Sequence, residues 1–182
     1  MALYIIIAIV GILLIYIWVI YNSIIKLVNR VDEAFSTMDV YLKKRWDLIP
    51  NIVEVVKGYA NHEKEILKEV VKLRNSSYDS MTTNDKLEVN NKISQNVSKL
   101  MAIAESYPEL KADESFKDLT TQLTKVEDEI ANSRKYYNGV VRIYNNKVEV
   151  FPNNIFAKIF GYKSKSMFEA TESERENVTI NL

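Results

Sequence analysis

The rhythm of apolar positions changes twice along this chain. Leu3 to Tyr21 (LYIIIAIVGILLIYIWVIY) is apolar on every face and broken only by Gly11. At 1.5 Å per residue, such a helix reaches about 30 Å, the thickness of the hydrocarbon core of a bilayer. From Ile24 the spacing becomes an alternation of four and three through Val28, Val31, Phe35, Met38 and Leu42, which keeps one stripe on a helix. Neither Gly nor Pro occurs between Leu13 and Ile49, so the span and the stripe are predicted to be one continuous helix. Pro50 removes a backbone bond and crowds the turn before it, which predicts a kink near residues 47 to 49. Beyond it the pattern resumes with Ile52, Val53, Val56, Ala60, Ile66, Leu67, Val70 and Leu73.

Residues 75 to 84 (NSSYDSMTTN) lack a period and are rich in side chains that compete for backbone bonds, so they read as a connection. A helix follows at about 85 to 106, with Leu87, Ile93, Val97, Leu100, Met101 and Ala104 facing inward, and Tyr107-Pro108 ends it. Asp113 is placed to cap a third helix of about 36 residues. Its stripe reads Phe116, Leu119, Leu123, Val126, Ile130, Tyr137, Val141, Tyr144 and Val148. Phe151-Pro152 interrupts again. Ile155 to Phe160 can then form one short amphipathic helix closed by Gly161. The polar end, residues 169 to 182, reads as a mobile acidic tail.

The apolar start is an anchor rather than a cleaved signal on three grounds. No Lys or Arg precedes it, it exceeds the usual signal core in length, and no small-x-small site follows it. Trp18, Tyr16 and Tyr21 lie at its far end, where amphipathic rings favour the headgroup level. Lys26 and Arg30 follow, then Lys43, Lys44 and Arg45, and positive charge is retained in the cytoplasm. This predicts an outward N-terminus, residues 1 to 22 as anchor, and residues 23 to 168 as a cytoplasmic domain. Four glycines and three prolines in 182 residues favour long helices over sheets. With 24 basic and 24 acidic residues, no overall field selects nucleic acid.

A set of short motifs resembles the LemA family: Tyr21-Asn22, Arg30, Asp39-Val40, Leu42 to Arg45, Asp47 to Asn51, and Val56 to Glu63. Glu105 to Ala112, Arg134 to Asn138, Tyr144-Asn145, Phe151-Pro152 and Phe168-Glu169 extend the resemblance across about residues 20 to 169. Phe35 and Trp46 depart mildly, standing where other members often carry Trp and a smaller residue. The resemblance implies a bacterial inner-membrane or plasma-membrane protein with one N-terminal span, a cytoplasmic four-helix domain and no established enzymatic activity. It also implies an association with envelope stress and with membrane zinc proteases. The expected fold is therefore all-α: a transmembrane helix continuing into an antiparallel bundle of three long helices plus one shorter, the latter supplied after Pro50 or after Pro152.

His62 is the single histidine and there is no cysteine, which removes zinc fingers and Cys/His nucleophilic sites. Tyr59 stands three before His62, where a di-metal bundle motif needs Glu. No cofactor is expected, and the chain is not expected to be an enzyme. His62-Glu63 could supply one pH-sensitive group, though a capped polar helix position is the plainer reading. Arg45, Asp47, Arg74, Glu105 and Arg134 lie close to apolar stripes and need partners. They read either as interhelical ion pairs or as a docking surface around Pro50.

Tyr137-Asn138 and Tyr144-Asn145, seven apart, share a face that packs internally or receives a partner helix. The candidate interaction surface is thus Arg45, Asp47, Pro50, Asn51, Tyr59, His62, Glu63, Tyr137, Asn138, Tyr144 and Asn145. The leading functional expectation is a membrane-anchored helical scaffold or adaptor with a protein partner. Self-assembly as a homo-oligomer or lipid binding through residues 155 to 160 comes second, and an enzyme with a site around His62 third.

Overall fold

The computed structural model describes residues 1–60, 68 and 78–168, and every regular element among them is helical. Helix α1 is Ala2–Tyr59. A 3-10 turn at Tyr78–Ser80 precedes α2 (Thr83–Ser106), a five-residue α3 (Pro108–Ala112), α4 (Glu114–Glu149) and α5 (Asn153–Ile159). His62, Glu63, Arg74, the apolar positions from Ile66 to Leu73 and the tail from residue 169 lie outside the described residues.

The long first helix is continuous, as the absence of Gly and Pro predicts, and it passes through Pro50 without ending. The break anticipated there as one source of the short helix does not occur. A helix-interior proline loses its own bond and crowds the preceding turn, and here that cost is met by Trp46, Ile49, Ile52 and Val53, all buried on either side of it. A seven-residue helix does follow Pro152. The apolar beginning of α1 is the one stretch among the described residues long and apolar enough to cross a membrane, and only 6% of it is buried within the molecule. A core helix of that composition would be covered by its own protein.

Caps explain the other boundaries. Thr82 accepts from the Asp85 backbone N–H at 3.3 Å while Asp85 accepts from the Thr82 N–H at 3.1 Å, a reciprocal capping box that starts α2 two residues before the periodicity predicts. Asp113 accepts from Phe116 N–H at 2.9 Å and so caps α4, whose 36 residues match the predicted length. Gly161, at φ +78, closes α5. The Gly161 N–H donates to Lys158 O and the Tyr162 N–H to Ala157 O, the paired bonds of a Schellman ending.

The chain forms two compact units. One comprises Met1–Thr37 and Ser133–Met167, and the other comprises Met38–Asn132 and includes Phe168. In the first, Ile24, Val31 and Ala34 are buried, as are Tyr137, Val141 and Tyr144 of α4, and Phe35 meets Tyr137 edge to face at 5.9 Å. Val28 and Phe35 remain partly exposed, so that stripe is narrower than its spacing suggests. In the second, Met38, Leu42, Ile52, Val56, Leu100, Leu123 and Ile130 form the core. There Arg45 pairs with Glu127 and Tyr59 with Asp113. An advance of fourteen residues on α1 is matched by a retreat of fourteen towards the start of α4, so the two helices run antiparallel in this unit.

Candidate functional site

Two polar constructions stand out, one in each unit. In the second, the Arg45 side chain is completely buried. Its Nη1 donates to both carboxylate oxygens of Glu127 and to Ser94 Oγ, each at 2.9 Å. Its Nη2 donates to the Asn90 carbonyl at 3.0 Å and to Asn90 Oδ1 at 2.7 Å. The planar guanidinium fork suits this arrangement because several donors project from one rigid group. Arg45 is therefore not available to a partner as a surface residue. Its place is the ion-paired one, since a buried cation needs a counter-charge and acceptors; both Nη atoms find them, while the buried Nε has none.

The network continues from Asn90, whose Nδ2 donates to Lys86 O at 2.7 Å. Lys86 Nζ donates to Asp39 Oδ2 at 2.6 Å and lies 4.7 Å from the centre of the Tyr78 ring. Tyr78 donates to Asp39 Oδ1 at 2.7 Å and packs on Trp46 at 5.2 Å. Burial, then the Asp39 carboxylate, push the Tyr78 phenol far above its ordinary range, so it stays a donor. Lys86, Asn90 and Ser94 are four apart on α2 and so share one face. Sequence reasoning marked Arg45 as needing a partner but missed the rest of this set. The available signal was polar residues on core stripes: Glu127 sits between Leu123 and Ile130, and Asn90 between Leu87 and Ile93. Tyr78 was the one aromatic in a mostly polar connection.

Near this network on α1, Asp47 is exposed and pairs with Lys43 at 2.7 Å, Asn51 is exposed, and Pro50 is half-buried. Tyr59 donates to Asp113 at 2.9 Å. That bond raises the Tyr59 phenol above its usual value, while the Phe116 N–H first, and Tyr59 second, hold Asp113 below its own. Glu105 is exposed and Arg134 partly so.

In the first unit, the face carrying Tyr137, Tyr144 and Asn145 does receive an extended segment, and the segment belongs to this chain. Tyr144 donates to Lys163 O at 2.8 Å and Tyr137 to Ser166 O at 3.1 Å. Asn145 donates to Lys165 O and accepts from Lys165 N–H, both at 2.9 Å. Lys165 Nζ also reaches Asp32 at 2.7 Å, and Ser164 donates to Glu149. Residues 163–166, which have no regular structure, are thus bound largely through their backbone, like a peptide on a track. Burial raises the Tyr137 and Tyr144 phenols, keeping both as donors. Asn138, half-buried, shares that stretch of α4. Among the described residues, no group of three His, Cys, Asp or Glu is placed to hold a metal ion.

Comparison with known proteins places this architecture. The family model described as LemA family matches residues 34–182. "Protein LemA" of Metamycoplasma hominis is 27% identical over 159 residues, covering 86% of this chain and 72% of that protein. "Magnetosome protein MamQ" of Magnetospirillum gryphiswaldense is 22% identical over 174 residues, covering 81% of this chain and 64% of the relative. "Magnetosome protein MamQ 2" of Paramagnetospirillum magneticum is 34% identical over 73 residues, which is 40% of this chain and 27% of the relative. The chain spans less than two thirds of both magnetosome proteins. With its uncovered apolar helix and a family match over most of its length, the chain belongs to the LemA family and is a membrane-associated member of it.

Proposed function

We propose that this protein is a membrane-anchored helical scaffold at the inner face of the bacterial plasma membrane, presenting a protein-binding surface from its cytoplasmic helices. One observation carries the reading. The uncovered apolar turns and the buried positions from Ile24 to Val56 lie on a single uninterrupted helix, so no flexible linker separates tether from domain. Exposed Lys26 and Arg30 follow the apolar run, which favours retention of that side in the cytoplasm. In the second unit the exposed face of α1 at Asp47, Asn51, Glu54 and Gly58 is the surface offered to a partner. Envelope stress or membrane-protein quality control is the setting, and a membrane zinc protease the partner class, that the family resemblance implies.

Photo-crosslinkers placed at Asn51 and Glu54 in intact membranes, with identification of the captured proteins, test the adaptor role. Capture of the same membrane protein from both positions supports it, and no capture beyond other copies of this chain removes it. A reporter active only outside the cytoplasm, fused after Leu182, should stay silent. Its activity would reverse the orientation.

Self-assembly is a second reading, favoured by Tyr136, Ile143 and Val150. These are each more than half exposed and seven residues apart, an apolar line with the spacing of a helix seam. Crosslinks between copies through Ile143 would support it.

A further inference from the structure

Residues 151–160 carry an apolar surface that a single membrane span does not account for. Within the unit formed by Met1–Thr37 and Ser133–Met167, Phe156 meets Tyr16 edge to face at 6.2 Å and Phe160 meets Tyr21 at 5.0 Å. These contacts hold α5 against the last turns of the uncharged run, which ends before Lys26. Ala157 is buried on one side of α5, while Phe151, Ile155 and Ile159, spaced by four, are 74%, 49% and 70% exposed. Lys158 is the one charge between Val150 and Tyr162.

We propose that Phe151–Phe160 is itself a lipid-embedded element, lying alongside the span in the outer part of the membrane's apolar layer, with Phe156 deeper than Phe160. Phe151, Ile155 and Ile159 sit among acyl chains and Lys158 reaches the phosphate level. This rests on the reading of α1 as a bilayer span. The depth follows from α1. About twenty residues from Leu3 bring the edge of the hydrocarbon close to Asn22. That places Tyr16 about 9 Å inside the edge and Tyr21 at it, since each residue rises 1.5 Å. Helix α5 is thereby held in the outermost 5 to 10 Å of the apolar layer, roughly the depth at which interfacial helices lie.

Backbone closure fits the same environment, where an unsatisfied carbonyl or N–H costs several kcal/mol. The Schellman bonds at Gly161 fill the Ala157 and Lys158 carbonyls, Asn154 N–H donates to Val150 O, Ile155 N–H donates to Pro152 O, and Pro152 has no N–H to satisfy. A lipid occupant is favoured over a protein one because the exposed stripe is continuous with the span through the two ring contacts, and the bilayer around the span is already at that level.

The chain has no cysteine, so single cysteines at Ile155, Ile159, Ile9 and Lys125 can each carry a nitroxide. The full-length protein is reconstituted into phosphatidylcholine vesicles containing a minor share of phosphatidylglycerol. Accessibility to oxygen and to a water-soluble nickel chelate is then read by electron paramagnetic resonance. Labels at 155 and 159 should favour oxygen strongly over nickel, at a depth between that of Ile9 and that of Lys125. Nickel-accessible labels at 155 and 159 with Ile9 still buried in lipid overturn the inference and leave the span intact. A nickel-accessible Ile9 overturns the span and the inference with it. Labels at 155 and 159 shielded from both reagents overturn lipid contact in favour of a covering protein copy.

Discussion

Asn145 holds Lys165 by both of its backbone groups, donating to its carbonyl and accepting from its N–H at 2.9 Å each. A side-chain amide that reproduces a backbone pair reads no side chain itself, and the side chains of the segment are held separately, Lys165 by Asp32 and Ser164 by Glu149. Replacing Asn145 with Ala removes both bonds and should cost about 1 to 3 kcal/mol. Hydrogen exchange should locate the loss, with the Lys165 amide losing protection while α4 keeps its own. Asn145→Asp keeps the acceptor and should retain part of that protection. Unchanged exchange at Lys165 in Asn145→Ala would show that Tyr137 and Tyr144 suffice to hold the segment.

Arg45 is the side chain whose removal should cost most. Arg45→Ala leaves a void, an Asn90 stripped of its two Arg45 bonds and a partly buried carboxylate. Breaking such a pair costs about 3 to 5 kcal/mol. Glu127, whose side chain is 34% exposed, can recruit water when its partner is lost. Arg45→Lys should not restore stability, because one ammonium cannot reach Glu127, Ser94 and Asn90 from a single rigid plane. Thermal melting of the full chain in detergent checks the order: wild type above Arg45→Lys, with Arg45→Ala lowest.

Acidification should weaken the helix starts. Asp85 and Asp113 both titrate below their ordinary 3.8, Asp85 through Thr82 and Asp113 through the Phe116 N–H. For a carboxylate with a depressed folded value, the stabilisation is fully present above the unfolded value and is lost as pH falls through the folded one. Stability should thus be level near neutral pH and decline below about pH 4, and Asp113→Asn should flatten that decline. A decline of equal steepness in Asp85→Asn/Asp113→Asn would assign it to other carboxylates.

Periodicity located α4 almost to the residue, because its stripe runs from Phe116 to Val148 and Asp113 marks its start. Continuity of α1 was equally legible from the absence of breakers before Pro50. The partners of Arg45 were not, since Glu127 lies 82 positions away and Asn90 45, and nothing local links a buried cation to a distant acid. The face of Tyr137, Tyr144 and Asn145 was visible as a stripe, but its occupant was not. Lys163, Lys165 and Ser166 are held through their carbonyls and one N–H, which leave no mark on composition.

His62→Ala should leave function and abundance unchanged, since neither a second histidine nor a cysteine accompanies it in the sequence. A loss of function at unchanged protein level would revive a site around His62-Glu63.

The antiparallel pairing of α1 with α4 sets the last expectation, which concerns whether the helices satisfy one another within a single chain. Leu42, Leu123 and Ile130 are at most 2% exposed, so truncating each to Ala should cost about 2 to 5 kcal/mol. Phe35, partly exposed beside Tyr137, should cost less than a fully buried Phe. A fragment beginning at Asn22 keeps these residues, the Arg45 network and the backbone track, and loses Tyr16 and Tyr21 as ring partners of α5. It should fold as a helical, cooperatively melting domain, with the Leu42→Ala penalty close to that in the full chain. If the fragment is instead unfolded while the full chain in membranes is helical and resists protease, the stripes are completed between chains. Apolar faces that find no cover within one chain must find it in a neighbour, and stability would then rise with protein density in the membrane.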